Sequence, residues 1–199
     1  MVETARRREI EDAASVLFRE RGYAATSVRD IARALDIQGA SLYAHVTSKQ
    51  EVLWSIVDGT ATRFEAAAQH ALAQHAEPRD RLAALVRGHV AVLLDDIGRA
   101  SVFIHDWRSL DAERRATILR RRDAYERHVR EVIEAGVAAG RFEVADPGVA
   151  AAFILTALNG IVVWYRPDGR LDAAGLQDVF ADLALRAVGA GRDDRPGAA

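Results

Sequence analysis

The stretch Thr26 to Leu53, TSVRDIARALDIQGASLYAHVTSKQEVL, decides how this chain is read. Thr26-Ser27 offers hydroxyl caps for the unpaired N–H groups of a helix start. Val28, Ile31, Ala32 and Leu35 follow at the i, i+3, i+4, i+7 spacing of one buried face. After a turn at Asp36-Ile37-Gln38, a second short segment from Gly39 to Val46 is expected to bury Leu42 and Val46, turning Ser41, Tyr43, Ala44 and His45 outward. Ser48 and Glu51 then have the spacing of a capping box, so a third helix starts there with the Lys49 ammonium on its exposed first turn. A cation at that end opposes the helix dipole unless an anion lies nearby. Two short helices joined by a tight turn, the second with a polar outer face, form a unit that can enter a DNA groove.

This segment resembles the helix-turn-helix of the TetR family of bacterial transcriptional regulators. The family's T-L-Y-H-Y-F followed by S-K-E-x-L is matched by Ser41-Leu42-Tyr43-Ala44-His45-Val46 and then Ser48-Lys49-Gln50-Glu51-Val52-Leu53. Its opening F-x-x-x-G-F/Y-x-x-T-S/T-V/L is matched by the helix Arg6 to Arg21 running into Gly22-Tyr23-Ala24-Ala25-Thr26-Ser27-Val28. About a third of the chain carries these motifs. Three positions depart from the pattern. Asp36 replaces the commoner turn glycine, which asks an aspartate to accept a left-handed conformation. Gln38 replaces the usual Ser or Thr cap, and Ala44-His45 stands where aromatics are common, so base preference does not transfer. The resemblance implies that Thr26, Tyr43 and Lys49 hold phosphates, and that Gln38, Gly39, Ser41 and His45 lie nearest the bases. Ser27, Arg29 and Ala40 complete the expected DNA-binding set. Glutamine can pair with adenine and a histidine can donate to guanine acceptors.

Charge alone does not predict nucleic-acid binding. The 199 residues carry a formal net charge of −2. Within residues 1–50, eight Arg and Lys face seven Asp and Glu. Affinity must therefore come from placement, with Arg6, Arg7, Arg8, Arg29, Arg33 and Lys49, the sole lysine, gathered on one face. The absence of cysteine excludes disulfides, thiolate zinc sites and thiol redox sensing. No stretch is expected to approach the roughly 18 uninterrupted apolar residues of a membrane span, and the N-terminus lacks the apolar core of a signal peptide. A cytoplasmic location is expected.

The remainder reads as amphipathic helices. One runs from Ser48 to about Ala73, and a second from Pro78 until Gly98 with Leu82, Leu85, Val86, His89 and Leu93 on one stripe. A short helix is expected from Ser101 to Trp107, a long one from Asp111 to Ala139 ended by Gly140, then helices from Pro147 and from Asp172 to Val188. The helix after Pro147 is apolar nearly all round and must be buried on most faces. It and the last helix are expected to pair with the same two of a second copy, as a four-helix seam in a homodimer. His89 is expected to be a hydrogen-bonded core residue. Phe103, His105, Trp107, Arg108, Tyr125, His128, Trp164 and Tyr165 have the mix of apolar walls and few polar groups that suits a small-molecule site, although aromatics also fill cores and seams. Trp164-Tyr165-Arg166-Pro167-Asp168-Gly169 resembles a phrase of TetR-like regulators that respond to acyl-coenzyme A thioesters.

The expectation is an all-α protein of about nine helices. Residues 4–64 form a three-helix DNA-binding domain with its helix-turn-helix at 27–46, residues 65–189 a ligand-binding and dimerisation domain, and residues 190–199 a disordered tail. Its partners are a palindromic double-stranded operator, a small-molecule effector such as an acyl-coenzyme A, and a second copy, with no membrane, metal or cofactor. Catalysis is not expected: Ser101, His105 and Asp106 are sequence neighbours without a nucleophile elbow. The alternatives are a helical acyl-binding protein without regulatory DNA binding, or an activator of the same family.

Overall fold

The computed structural model describes residues 2–190, with side chains from residue 5 onward; the tail expected at 190–199 lies, after Ala190, outside the described residues. Among these residues the fold is all-α: α1 Val2–Arg21, α2 Val28–Ala34, α3 Gly39–Tyr43, α4 Lys49–Gln74, α5 Pro78–Asp95, α6 Ile97–His105, a 3₁₀ turn Trp107–Ser109, α7 Ala112–Ala138, α8 Pro147–Asn159, α9 Ile161–Trp164 and α10 Ala173–Ala187. Counting α9 as the continuation of α8 makes nine helices.

Two compact units divide the described residues, 2–63 with 95–122, and 64–94 with 123–190. They interleave along the sequence, so the contiguous division 4–64 and 65–189 does not coincide with them. In the first unit, α1 packs on α2 and α6, and α2 on α3. Its core is Ile10, Phe18, Ile31, Leu42, Leu53 and Ile56, each nearly or fully buried. In the second unit, the α5 stripe Leu82, Leu85, Val86, His89 and Leu93 is buried as its spacing predicts. That helix stops earlier than Gly98: Asp96 caps α6 by accepting from the Arg99 N–H at 2.9 Å, and Gly98 lies inside α6. A side-chain cap ends one helix and starts the next more decisively than a mid-helix glycine does.

Helix α7 ends at the expected place. Gly140 takes a positive φ of 64°, and the chain folds back so that the Phe142 N–H bonds the Gly136 carbonyl at 3.1 Å. A Cβ on Gly136 would fall 2.0 Å from the Phe142 ring, so the glycine is required by this close approach.

Asp36 is the only non-glycine residue with positive φ among the described residues, at 52°. This tight left-handed joint separates α2 from α3. A β-branched side chain is penalised there, so Asp36→Val is expected to cost about 1–2 kcal/mol. The thermal midpoint should fall by roughly 2–8 °C, while Asp36→Gly should leave it undiminished; calorimetry on both variants checks this.

The expectation about apolar stretches needs correction. Pro147–Trp164 is an 18-residue window of mean hydropathy 1.8 without a single charge, and only 28% of it is buried. Thr156, Asn159 and Gly160 interrupt the run to the eye without lowering its mean much, and the helix breaks at Gly160 into 13 and 4 residues. Helix α8 packs on α10. Even so, Val149, Phe153, Val163, Trp164, Val179 and Leu183 remain 41–76% exposed.

Candidate nucleic-acid interface

The short helices of the head owe their stability to anchoring, since seven and five residues do not hold a helix alone. At the start of α2, Ser27 and Asp30 form a reciprocal capping box: the Ser27 Oγ accepts from the Asp30 N–H at 3.2 Å and the Asp30 carboxylate accepts from the Ser27 N–H at 2.9 Å. The Ser27 hydroxyl and amide hold the Asp30 carboxyl below its ordinary value. Helix α3 is pinned by Leu42 and, just beyond its end, Val46, at 0% and 2% exposure. Gln38 caps α3 through its backbone alone; its side chain makes no capping bond and is exposed, with Ala40, Ser41 and Ala44. Tyr43 is 57% exposed. Arg29 is exposed, and Gly39 and His45 are half-buried. The outward face read from the sequence is thus present on α3, except that His45 is partly withdrawn and its Nδ1 is buried without a hydrogen-bond partner among the described residues.

Thr26 and Lys49 differ from expectation. Thr26 is buried, and its hydroxyl donates to the Gly22 carbonyl at 3.0 Å, so it neither caps α2 nor faces solvent. Lys49 is half-buried rather than displayed on the surface. Its ammonium donates to the Tyr23 and Thr26 carbonyls at 2.9 and 2.7 Å and lies 4.1 Å from the Tyr23 ring centroid. The carbonyls between α1 and α2 supply the negative partner that a cation at this helix start requires. The cap of α4 is also modified: the Glu51 N–H reaches the Ser48 Oγ at 3.1 Å as predicted, whereas the Glu51 carboxylate reaches back to the Thr47 N–H at 2.6 Å. Thr47 and then Arg7 hold the Glu51 carboxyl below its usual range. Depressed carboxylates stabilise the fold above their unfolded values and lose that contribution as pH falls through the folded ones, so Glu51 supports the head fully at neutral pH.

The basic residues are less available than a charge count implies. Arg6 pairs with Glu9 at 2.5 Å, Arg7 with Glu51 at 3.0 Å and Arg33 with Asp30 at 3.3 Å. Arg8 and Arg29 are exposed.

A second layer of contacts was not legible from local sequence. The Gln50 side-chain amide donates to the Ser109 carbonyl at 2.7 Å and accepts from the Asp111 N–H at 3.2 Å. Burial raises the Asp106 carboxyl, partly offset by a backbone hydrogen bond from Tyr23. Arg99 meets Glu11, Asp12 and Asp96 at 2.8, 2.7 and 3.1 Å. Residues 95–122 are thereby tied to α1 and to the first turn of α4. Gln50 sits one position from a motif residue, but its partners lie some sixty residues away, beyond any periodicity signal.

The aromatic and polar residues expected at a small-molecule site are shared between the two units. Phe103 and Trp107 are buried in the first unit, where the Arg122 guanidinium lies 5.2 and 5.4 Å from their ring centroids, and Arg108 lies 4.6 Å from Trp107. His105 is exposed. In the second unit, the Tyr125 hydroxyl meets His89 Nδ1 at 3.0 Å beside Phe64, and its burial raises the tyrosine pKa. His89, 4% exposed, is the hydrogen-bonded core residue its stripe predicts. His128 lies half-buried, 3.8 Å from Glu131. Trp164 stacks on Phe180 at 6.2 Å, and Tyr165 is half-buried beside the exposed turn Arg166–Arg170. Spacing along a helix places residues on a face but does not say which faces meet. Among the described residues no group of three or more His, Asp or Glu is placed to hold a metal ion.

Comparison with known proteins matches two successive segments of the sequence. Residues 10–56 match the family described as bacterial regulatory proteins, tetR family, and residues 75–188 match the tetracyclin repressor-like, C-terminal domain. The chain is 32% identical over 184 residues to the HTH-type transcriptional repressor KstR2 of Rhodococcus jostii, covering 92% of this chain and 90% of that one. The structure of ketosteroid transcriptional regulator KstR2 of Mycobacterium tuberculosis superposes with a TM-score of 0.85 at 28% identity, covering 92% and 93% of the two chains. The crystal structure of AibR in complex with isovaleryl coenzyme A and operator DNA superposes with a TM-score of 0.80 at 28% identity, covering 94% of this chain and all of that one.

Proposed function

This chain belongs to the tetR family of bacterial regulatory proteins, and we propose that it is a cytoplasmic, homodimeric repressor released from an inverted-repeat operator by an acyl-coenzyme A thioester. The observation that carries this reading is α3. Its inner side is locked by Leu42 at 0% exposure, while Gln38, Ala40, Ser41 and Tyr43 stand in solvent. A rigid short helix with polar outer residues is what base readout in a major groove requires. Gln38, Gly39, Ala40, Ser41 and His45 lie nearest the bases, and Ser27, Arg29 and Tyr43 hold phosphates. Lys49 acts there through its remaining N–H and its charge, with Thr26 contributing the carbonyl that orients it. Residues 4–64 serve as the DNA-reading part, and residues 65–189 as the effector and dimerisation part.

The exposed apolar stripe on α8 and α10 is the dimer seam in this reading. Two-fold symmetry then sets two α3 helices in successive major grooves about 34–36 Å apart. The effector class is supported by the Trp164–Gly169 phrase and by the AibR complex with isovaleryl coenzyme A and operator DNA. Helix α4 starts at the head and is continuous into the second unit, so it is one covalent route, alongside α7, by which effector binding can act on the head. Release follows when the effector prefers a conformer in which both heads no longer fit the operator.

The test is retardation of the DNA upstream of the protein's own gene by the purified full chain, followed by titration of acyl-coenzyme A thioesters. A retarded complex that one thioester dissolves is expected; thioester binding with no retarded fragment would leave a helical acyl-binding protein instead. Lys49→Met, which keeps the aliphatic stem, is expected to weaken binding to every duplex and to lower the slope of log K against log salt by about 0.9. Anisotropy titrations over a salt series measure this, and an unchanged slope would reduce Lys49 to a clamp on the α1–α2 turn.

A further inference from the structure

We propose that the Trp107 indole N–H, flanked by the Arg108 and Arg122 guanidinium groups, is the donor that receives an acceptor oxygen of the effector's acyl portion. The inference rests on the effector reading above and deepens it. Trp107 is 6% exposed, and its Nε1 is buried with no hydrogen-bond acceptor among the described residues. An indole N–H can only donate, and a buried donor without an acceptor is costly enough that native folds rarely keep one without a use. The surroundings specify the acceptor's chemistry. Two guanidinium groups lie 4.6 and 5.4 Å from the Trp107 ring centroid, and Arg122 also lies 5.2 Å from Phe103. Their positive field favours an oxygen bearing full or partial negative charge, the carboxylate of a free acid or the polarised carbonyl of a thioester. The buried Phe103 ring beside them suits the adjoining hydrocarbon.

Position adds the functional consequence. Trp107 opens the 3₁₀ turn whose Ser109 carbonyl is held by the Gln50 amide, and Asp111 just beyond gives its N–H to the same amide. Gln50 sits in the first turn of α4, next to Lys49. An acceptor bound at Trp107 therefore acts on the turn that grips the start of α4.

The experiment compares wild type with Trp107→Phe, which keeps the buried ring and removes the donor. Isothermal titration uses short- to long-chain acyl-coenzyme A thioesters, free coenzyme A and the matching free acids, alongside operator retardation. The variant should bind the wild-type effector about tenfold more weakly, the loss of one buried hydrogen bond to a polarised acceptor. Operator affinity without effector should be unchanged. The thioester and free-acid arms show which oxygen is read, the loss appearing in the arm that carries it. As a second readout, a Trp54→Phe, Trp164→Phe protein leaves Trp107 as its only tryptophan, and its emission should change on saturation with the same probe. If wild type and Trp107→Phe release the operator at the same thioester concentration, the subsite is wrong while the proposed function stands. If no member of the panel binds or releases wild type, the effector reading fails and the subsite fails with it.

Discussion

Arg99→Met should destabilise the protein by about 3 kcal/mol, the lower end of the cost of removing one partner from a buried ion pair. Arg99 donates to Glu11 at 2.8 Å and to Asp12 at 2.7 Å, and also meets Asp96 at 3.1 Å. Its side chain is 17% exposed and that of Glu11 is 11% exposed. Burial lowers the guanidinium pKa, but its bonds to Asp12 and Glu11 outweigh that and raise it overall. Methionine fills similar space but leaves three carboxylates facing one another. Glu11 would then keep only the Ser55 hydroxyl and an Arg7 contact at 3.5 Å. The lower figure is chosen because Asp12 is 56% exposed and can turn to water. For a chain of this length the thermal midpoint should drop by roughly 6–12 °C. Arg99→Lys, which keeps the charge and loses the fork, should fall between wild type and Arg99→Met. Midpoints within a degree of each other for all three proteins would show that the cluster does not hold α6 on α1.

Leu183→Glu should convert the protein to a monomer and raise its apparent operator dissociation constant by at least about a hundredfold. Leu183 is 52% exposed on α10 and lines, with Phe153, Ala157 and Leu158 of α8 and Phe180, a groove of about 430 Å³. A seam formed by two copies receives the change twice, so one substitution buries two carboxylates in an apolar contact. Several kcal/mol are lost, and each 1.4 kcal/mol is a factor of ten. The isolated unit should fold normally, because the side chain faces outward and glutamate is a good helix former. Sedimentation equilibrium together with retardation on whole and half operators checks both parts. A variant that stays dimeric and keeps wild-type affinity would place the seam elsewhere. The proposed seam would also account for Pro147–Trp164 being as apolar as a membrane span, because a helix with one face on its own unit and another on a second copy has little polar surface to keep.

Most of the fold was legible because its signals are local. The serine cap at Ser27, the left-handed Asp36, Pro147 at the start of α8 and Gly140 after α7 all act within a few residues of themselves. The core positions of α5, and Ile31 and Ala32 of α2, followed from helical spacing alone, while Val28 and Leu35 on the same α2 stripe are half-buried. The boundary missed between α5 and α6 turned on Asp96, a cap hidden among ordinary charged residues. The candidate interface was legible as a face but not atom by atom. Thr26 and Ser27 are both hydroxyl residues at a helix start, and only the packing of α1 against α2 turned one inward and left the other as the cap.

The linear order of residues was enough to establish an all-helical chain with a short-helix pair near its start, because capping, turn chemistry and apolar periodicity depend on neighbours within about one helical turn; its reading as a DNA-binding regulator came from the motifs it shares with the tetR family. Tertiary structure alone decided that the Lys49 ammonium is spent mainly on the Tyr23 and Thr26 carbonyls, and that Gln50 and Arg99 join segments about sixty and ninety residues apart. Those outcomes depend on which helix faces meet, and side chains distant along the chain are brought within hydrogen-bonding range only when whole helices pack.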